Sequence, residues 1–157
     1  MMIAVLKFVK YLAVEKWEPF FETFPQSYFL EPLESPDTRI LDITLEIVSA
    51  IIDMEIETKT IFFENEHYDI ASKITDGVFT NFEDIEIRKS INIWIKLFET
   101  GFVETGNLIE FVLTKIPEKC AEYHSFCEAL SPGEFGFDRE QILRTVYGLK
   151  TSLAVTS

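Results

Sequence analysis

Hydrophobic and polar residues recur with helical spacing along most of the chain. The clearest case follows Ser35 and Pro36, which we predict to be the N-cap and the first helical residue. Acidic residues lie opposite its apolar positions, at Asp42, Glu46 and Asp53. We therefore expect one core face and one acidic outer face on this helix. Its apolar positions are Ile40, Leu41, Thr44, Ile47, Val48, Ile51 and Ile52.

Apolar residues recur at the same helical spacing, in shorter runs, in the rest of the chain. Trp17 to Phe24 reads as a short aromatic helix or turn, and the prolines of residues 25–36 predict an extended connector. We predict an all-α fold, an irregular antiparallel bundle of about seven helices that forms one domain over residues 1–157. The other predicted helices cover residues 2–14, 61–79, 82–99, 107–116, a stretch ending near Leu130, and one that begins after Asp138.

Five of these other helices have an inward face, and two of the five have a recognisable cap. Asn81 with Asp84 and Asp138 with Gln141 have the spacing of capping pairs. The inward faces are Val5, Leu6, Val9 and Leu12 or Ala13; Phe63, His67, Ile70, Ile74 and Val78; Ile87, Ile91, Trp94 or Ile95, and Phe98; Leu108, Val112, Leu113 and Ile116; and Ile142, Leu143, Val146, Tyr147 and Leu153.

Two short segments alternate and so leave a strand open as the alternative. These are residues 54–60 and 91–95. For the first we favour a helix end and a turn, because no partner strand is evident nearby. For the second the helical seam is the preferred interpretation.

Charge changes the picture more than any motif does. The formal net charge is −13, and residues 42–86 hold twelve acidic side chains against two basic ones. Such acidity disfavours contact with nucleic acid or anionic lipid and favours a basic protein partner. We predict a partner-binding surface made of Asp42, Glu46, Asp53, Glu55, Glu57, Glu64, Glu66, Asp69, Asp76, Glu83, Asp84 and Glu86.

A simple solvated face is the alternative interpretation of these acids. Solvated helix faces usually mix Lys with Glu, because opposite charges at i,i+4 are mildly stabilising and like charges repel. Along this stretch Lys73 is the one base that compensates the acids at helical spacing. The imbalance favours a surface whose self-repulsion a basic partner would relieve.

Candidate chemistry is sparse. Glu64 and His67 have the Glu-x-x-His spacing of carboxylate-bridged metal bundles, but the second copy of that motif is missing. Cys120, His124 and Cys127 share one helix face, whose spacing allows zinc ligation, but we favour a packed core seam because Ile116 extends the same face. No Gly-rich phosphate loop or nucleophile elbow is present. We expect a non-enzyme without metal or cofactor, in which His67 flanks the core.

The two cysteines predict reduced thiols rather than a disulfide framework. They lie seven residues apart in a predicted helix, about 10.5 Å at 1.5 Å per residue, which is too far for a bridge. The amino terminus lacks the basic region and cleavage site of a signal peptide, and no apolar run reaches about 20 residues. We therefore expect a cytoplasmic protein with no membrane association.

A small, acidic, mostly helical chain without a catalytic motif resembles bacterial toxin-immunity proteins, those of contact-dependent growth inhibition systems in particular. The resemblance rests on the acidic set from Asp42 to Glu86 and on the missing catalytic constellation. It implies a protein that binds and neutralises a cognate toxin domain, such as a nuclease with a basic cleft. No family site residue can be transferred by motif.

Two other functions stay open at this stage. The same acidic face would serve a regulator or nucleic-acid mimic that blocks a DNA- or RNA-binding protein. A helical metal-dependent enzyme at Glu64 and His67 is the third possibility. Phe135 and Phe137, in a loop with Gly133 and Gly136, either fold onto the core or form an apolar contact patch.

Overall fold

The computed structural model describes residues 2–15, 31–63, 66–114 and 121–156. Within these residues the fold is all-α, as predicted, and contains no sheet. The predicted segment 17–24 lies outside the described residues. The helices are α1 (Met2–Val14), α2 (Thr38–Thr58), α3 (His67–Val78), α4 (Asp84–Thr100), α5 (Thr105–Leu113), α6 (Ala121–Ala129) and α7 (Arg139–Thr156), with a short 3-10 helix at Pro32–Glu34.

Helix α2 runs through the middle of the fold. It packs against α1 and α4, and α4 in turn contacts α3 and α7. Its predicted apolar face is confirmed, since Leu41, Ile47 and Ile51 are all buried. Leu45 and Met54 are buried as well, so the helix has a wider apolar face than the sequence pattern indicated.

Contacts between aromatic side chains join α3, α4 and α6. Trp94 on α4 meets Phe126 on α6 with ring centroids 6.4 Å apart, and Phe79 at the end of α3 meets the same ring at 6.1 Å. All three side chains are buried. Burial of rings of this size contributes a large share of the hydrophobic stabilisation of a small fold.

Two of the three predicted caps at helix starts differ from those observed. Helix α2 starts at Thr38 because the Asp37 carboxylate, and not Ser35, accepts the Arg39 amide proton, at 3.0 Å. Helix α4 starts at Asp84, where the Glu83 amide donates to Glu86 Oε1 at 3.3 Å. Asn81 instead accepts a hydrogen bond from the Thr80 hydroxyl. The predicted Asp138 cap is confirmed, since its carboxylate accepts from the amides at the start of α7.

Neither segment with an alternating pattern is a strand, so a helix end at residues 54–60 and a helix at residues 91–95 are confirmed. Residues 54–58 complete α2, which ends at Lys59 in the left-handed region with φ of 58°. Residues 91–95 lie inside α4, which ends at Gly101 with φ of 78°. Glycine adopts that conformation without the steric cost that a Cβ imposes, so Gly101 is a favourable stop.

Gly77 allows the ring of Phe82 to pack directly against the last turn of α3. A Cβ at this position would overlap with the ring of Phe82. The missing side chain therefore lets Phe82 fold back over the last turn of α3. This contact places the 79–82 loop, and with it the start of α4, against the core.

Candidate functional site

The acidic stripe predicted on the outside of α2 faces lysines of two neighbouring helices. The prediction that these acids have no basic partners is wrong. Their lysine partners lie on other helices, so residue spacing along α2 does not reveal them. We call these acids and lysines together the ion-pair belt. Its contacts are Glu46 to Lys10 at 2.6 Å, Glu46 to Lys89 at 3.2 Å, Asp53 to Lys96 at 2.9 Å and Asp42 to Lys89 at 3.9 Å.

Glu46 is the centre of the belt. Partial burial raises the pKa of its carboxyl, but the hydrogen bonds from Lys10 and Lys89 outweigh burial and hold that pKa below its ordinary value. The ionised form is therefore favoured in the folded protein. The belt joins α1 and α4 to α2 and leaves these acids less available to a partner than an unpaired surface would.

Glu55 is part of the core, so its predicted place on the outer acidic surface is wrong. Its side chain is 1% exposed. Oε2 accepts the amide protons of Phe62 and Phe63 at 2.9 and 3.2 Å, and Oε1 lies 2.9 Å from His67 Nε2. Because the Glu55 carboxylate binds these two amides, residues 62 and 63 form a bend. Helix α3 therefore starts at His67 and not at residue 61, where we predicted it.

His67 confirms the prediction of a core-flanking histidine. It is buried, stacks on Phe102 with centroids 4.3 Å apart and meets the edge of Phe63. Its Nε2 is turned to Glu55. Glu64, its predicted partner at Glu-x-x-His spacing, lies outside the described residues.

Glu86 is also buried, which corrects its predicted outer position. Burial raises the pKa of its carboxyl; the Glu83 amide partly offsets this rise, and the nearby Asp42 carboxyl adds to it. The residue sits in the first turn of α4, where it caps the helix end. Its charge therefore acts between α2 and α4 and not on a partner.

The remaining predicted acids divide by exposure. Glu66 is half-buried and has contacts of its own. The acids of the predicted set that are exposed are Glu57, Asp69, Asp76, Glu83 and Asp84. These five are the part of the set that a partner can reach.

Asp69 and Asp76 form an acidic stripe on α3, which we call the α3 stripe. They are two helical turns apart and thus share one side of the helix. Between them Lys73 donates a hydrogen bond to Glu34 at 2.7 Å, which ties the 3-10 helix to α3. A cleft of about 480 Å³ opens here, lined in part by Lys73, Asp76 and Phe111.

A second acidic region lies where α4 meets the start of α7. Arg88 bonds Asp84 at 3.1 Å and reaches Glu140 at 3.6 Å. The Tyr147 hydroxyl donates to Asp84, and this bond, ahead of the one from Arg88, lowers the pKa of the Asp84 carboxyl. Burial, and next the bond to Asp84, raise the pKa of Tyr147 to about 12.

A groove of about 680 Å³ runs along this second region. Asn92, Lys96 and Glu99 of α4 line one side, and Phe137 with Arg139 lines the other. The two loop phenylalanines behave differently beside it. Phe137 packs on Phe98 with centroids 5.7 Å apart, whereas Phe135 is 97% exposed.

The described residues contain no group of three or more His, Cys, Asp or Glu side chains placed to hold a metal ion. His124 is exposed, so the predicted core seam is wrong at that position, and Cys127 is a half-buried free thiol. Cys120 lies outside the described residues. Across the described helices, none combines the length and apolar content that a membrane span requires.

Comparisons of the chain with family models, with curated proteins and with solved structures gave no match. The assignment of a function therefore rests on the surface itself.

Two features of that surface escaped the sequence reasoning. One is the ion-pair belt, whose signal would have been the lysines at positions 89 and 96 on one side of α4. The other is the isolation of Phe135 from the core. A residue between two glycines and next to an acid is a recognisable turn tip, but its exposure depends on how Phe137 packs.

Proposed function

We propose that this chain is an immunity protein, which binds a basic toxin domain, such as a nuclease, and neutralises it. One observation carries the proposal. Among the side chains that the structure describes, fifteen acidic ones are exposed against six basic ones. Because Lys10, Lys89 and Lys96 face α2, the outer surface is more acidic than the composition alone implies.

Such a surface suits a basic cleft. A nuclease binds its substrate through phosphates, and carboxylates can take the same positions opposite Lys and Arg side chains. Association between surfaces of opposite charge is steered, which raises its rate at low salt by about tenfold or more. Exposed acids of the predicted set supply this field: Glu57, Asp69, Asp76, Glu83 and Asp84.

The test uses as its probe the product of the open reading frame next to the gene of this chain, tested for toxicity in cells and prepared for binding as a catalytically inactive variant. We expect the two proteins to associate rapidly, with a rate that falls steeply as NaCl is raised. Replacing both members of the α3 stripe, Asp69→Lys with Asp76→Lys, should lower the association rate about tenfold at low salt. In cells, co-expression of the wild-type chain should restore growth against the active toxin.

A matched control separates the stripe from the net charge. Glu15→Lys with Glu128→Lys makes the same change in net charge at two exposed positions, one just after the end of α1 and one on α6. A smaller loss of rate in this control supports contact through the stripe, and equal losses assign the effect to the overall field. Absence of any association at low salt, together with no protection of growth, would overturn the proposal.

A further inference from the structure

Phe135 is the most exposed large apolar side chain in the described part of the chain. It is 97% exposed, whereas the next, Phe8 and Tyr11, are each 61% exposed. Full exposure of a phenyl ring to water is unfavourable, because burial of its apolar surface stabilises a protein. At this exposure the ring gains almost none of that stabilisation from the fold.

The turn that carries Phe135 is closed at its base. Gly133 and Gly136 exchange two backbone hydrogen bonds of 3.0 and 3.1 Å, and Gly136 has φ of 93°, a conformation that favours glycine. Phe137 follows at once and packs on Phe98, while Asp138 caps α7. The ring therefore projects from a fixed base, so that little conformational entropy is lost when a partner covers it.

Acidic side chains surround this turn. Glu134 and Asp138 flank it in the chain, and a Cβ at Gly136 would lie 3.8 Å from Glu99 Oε1. All three carboxylates are exposed, and Arg139 is the exposed base that is adjacent in the chain. An aromatic centre within a charged rim is the usual anatomy of an interface that binds tightly.

We propose that Phe135 is the aromatic anchor of the partner interface and inserts into an apolar pocket bordered by basic side chains on the partner protein. The proposal rests on the proposed function and adds the point of contact to it. The acidic rim selects a basic partner, and it disfavours a second copy of this chain because pairing would bring like charges together. Long-range charge then determines how fast the complex forms, and the ring determines how long it lasts.

The experiment measures association and dissociation rates of the complex with the inactive toxin domain for the wild-type chain and for Phe135→Ala. We expect dissociation to accelerate about tenfold or more, because truncation of a buried interface aromatic usually has at least this effect. The association rate should stay within about twofold, since no charge changes. Phe135→Tyr, which keeps the ring, should retain most of the lifetime.

Phe8→Ala is the matched control, because Phe8 is an exposed phenylalanine on α1, next to Lys7. It should leave both rates unchanged, and neither alanine variant should shift the thermal unfolding midpoint. Equal dissociation rates for Phe135→Ala and the wild type would overturn the anchor while leaving the proposed function intact. Failure of the wild-type chain to bind overturns both. Self-association that Phe135→Ala abolishes would assign the turn to a dimer and so overturn the proposal.

Discussion

At the scale of single residues, Glu55 does the most for the fold. One buried carboxylate accepts two backbone amide protons and faces an imidazole nitrogen, and it thereby joins the end of α2, the bend at residues 62–63 and the start of α3. Buried acids are costly unless their charge is met by hydrogen bonds. Here the bonds come from three different residues, so the cost is offset by the joining of separate segments.

We predict that Glu55→Ala lowers the free energy of unfolding by about 3–5 kcal/mol, because it leaves the amides of Phe62 and Phe63 and a nitrogen of His67 buried without a partner. Urea unfolding followed by circular dichroism measures the loss. Glu57→Ala, two residues further on and exposed, should cost less than about 0.5 kcal/mol. Similar losses in the two variants would contradict the role of Glu55.

The residue scale also marks the limit of sequence reasoning. Helical period correctly placed Ile70, Ile74 and Ile91 in the core, because an apolar stripe has only one favourable place to go. The same period placed Glu55 outside, because an acid between Met54 and Ile56 in an alternating stretch reads as solvated. Its burial depends on donors seven, eight and twelve residues away, which no local pattern reveals.

At the scale of helices, the contact between α2 and α4 combines attraction and repulsion. Lys89 and Lys96 of α4 pair with acids of α2, whereas Glu86 lies buried near Asp42. Each half-exposed pair contributes modestly, about 1 kcal/mol or less. The carboxyl pair opposes them, because ionisation of Glu86 is disfavoured in the folded protein.

This arrangement predicts a pH-dependent effect of Glu86→Gln. The folded pKa of Glu86 is raised, so the folded chain binds more protons than the unfolded chain between the two pKa values, and stability falls as pH rises through that window. The glutamine side chain does not ionise, so the variant avoids this loss of stability. Its oxygen can still accept the Glu83 backbone amide proton. We expect the variant to be more stable than wild type at pH 7, by about 1 kcal/mol or less.

Urea unfolding at pH 4 and at pH 7 checks the sign. Near pH 4 Glu86 is protonated in the folded protein, so the variant should gain little there. Glu83→Gln, at the exposed neighbour, should show no comparable gain at pH 7. A Glu86→Gln protein that is less stable than wild type at pH 7 would contradict an unfavourable effect of the Glu86 charge on folding.

At the scale of the whole molecule, an excess of exposed acids opposes folding through self-repulsion. The ion-pair belt works in the other direction, but its pairs are close and half-buried and are therefore screened less by salt than the dispersed acids. We expect the repulsion to dominate. Raising NaCl from about 0.05 M to about 0.5 M should thus raise the unfolding midpoint by a few degrees.

Differential scanning calorimetry across this salt range measures the effect. The Glu15→Lys with Glu128→Lys variant has a lower net negative charge, so its midpoint should rise less. A midpoint that falls as salt is added would show that the inter-helix pairs contribute more than the repulsion.

The all-α architecture could be predicted from the helical spacing of apolar residues and from the helix caps. The charge distribution could not, because it depends on how α1 and α4 pack on α2.

The inward position of the belt lysines has a consequence for how this chain can change over generations. Substitution of Lys89 or Lys96 changes the electrostatic field at the surface and also removes a contact between α2 and α4. Two separate requirements therefore restrict these positions. Substitution of Asp69 or Glu134 alters the field alone, since both side chains are exposed. The surface charge can therefore change by single substitutions that leave the contacts between helices intact.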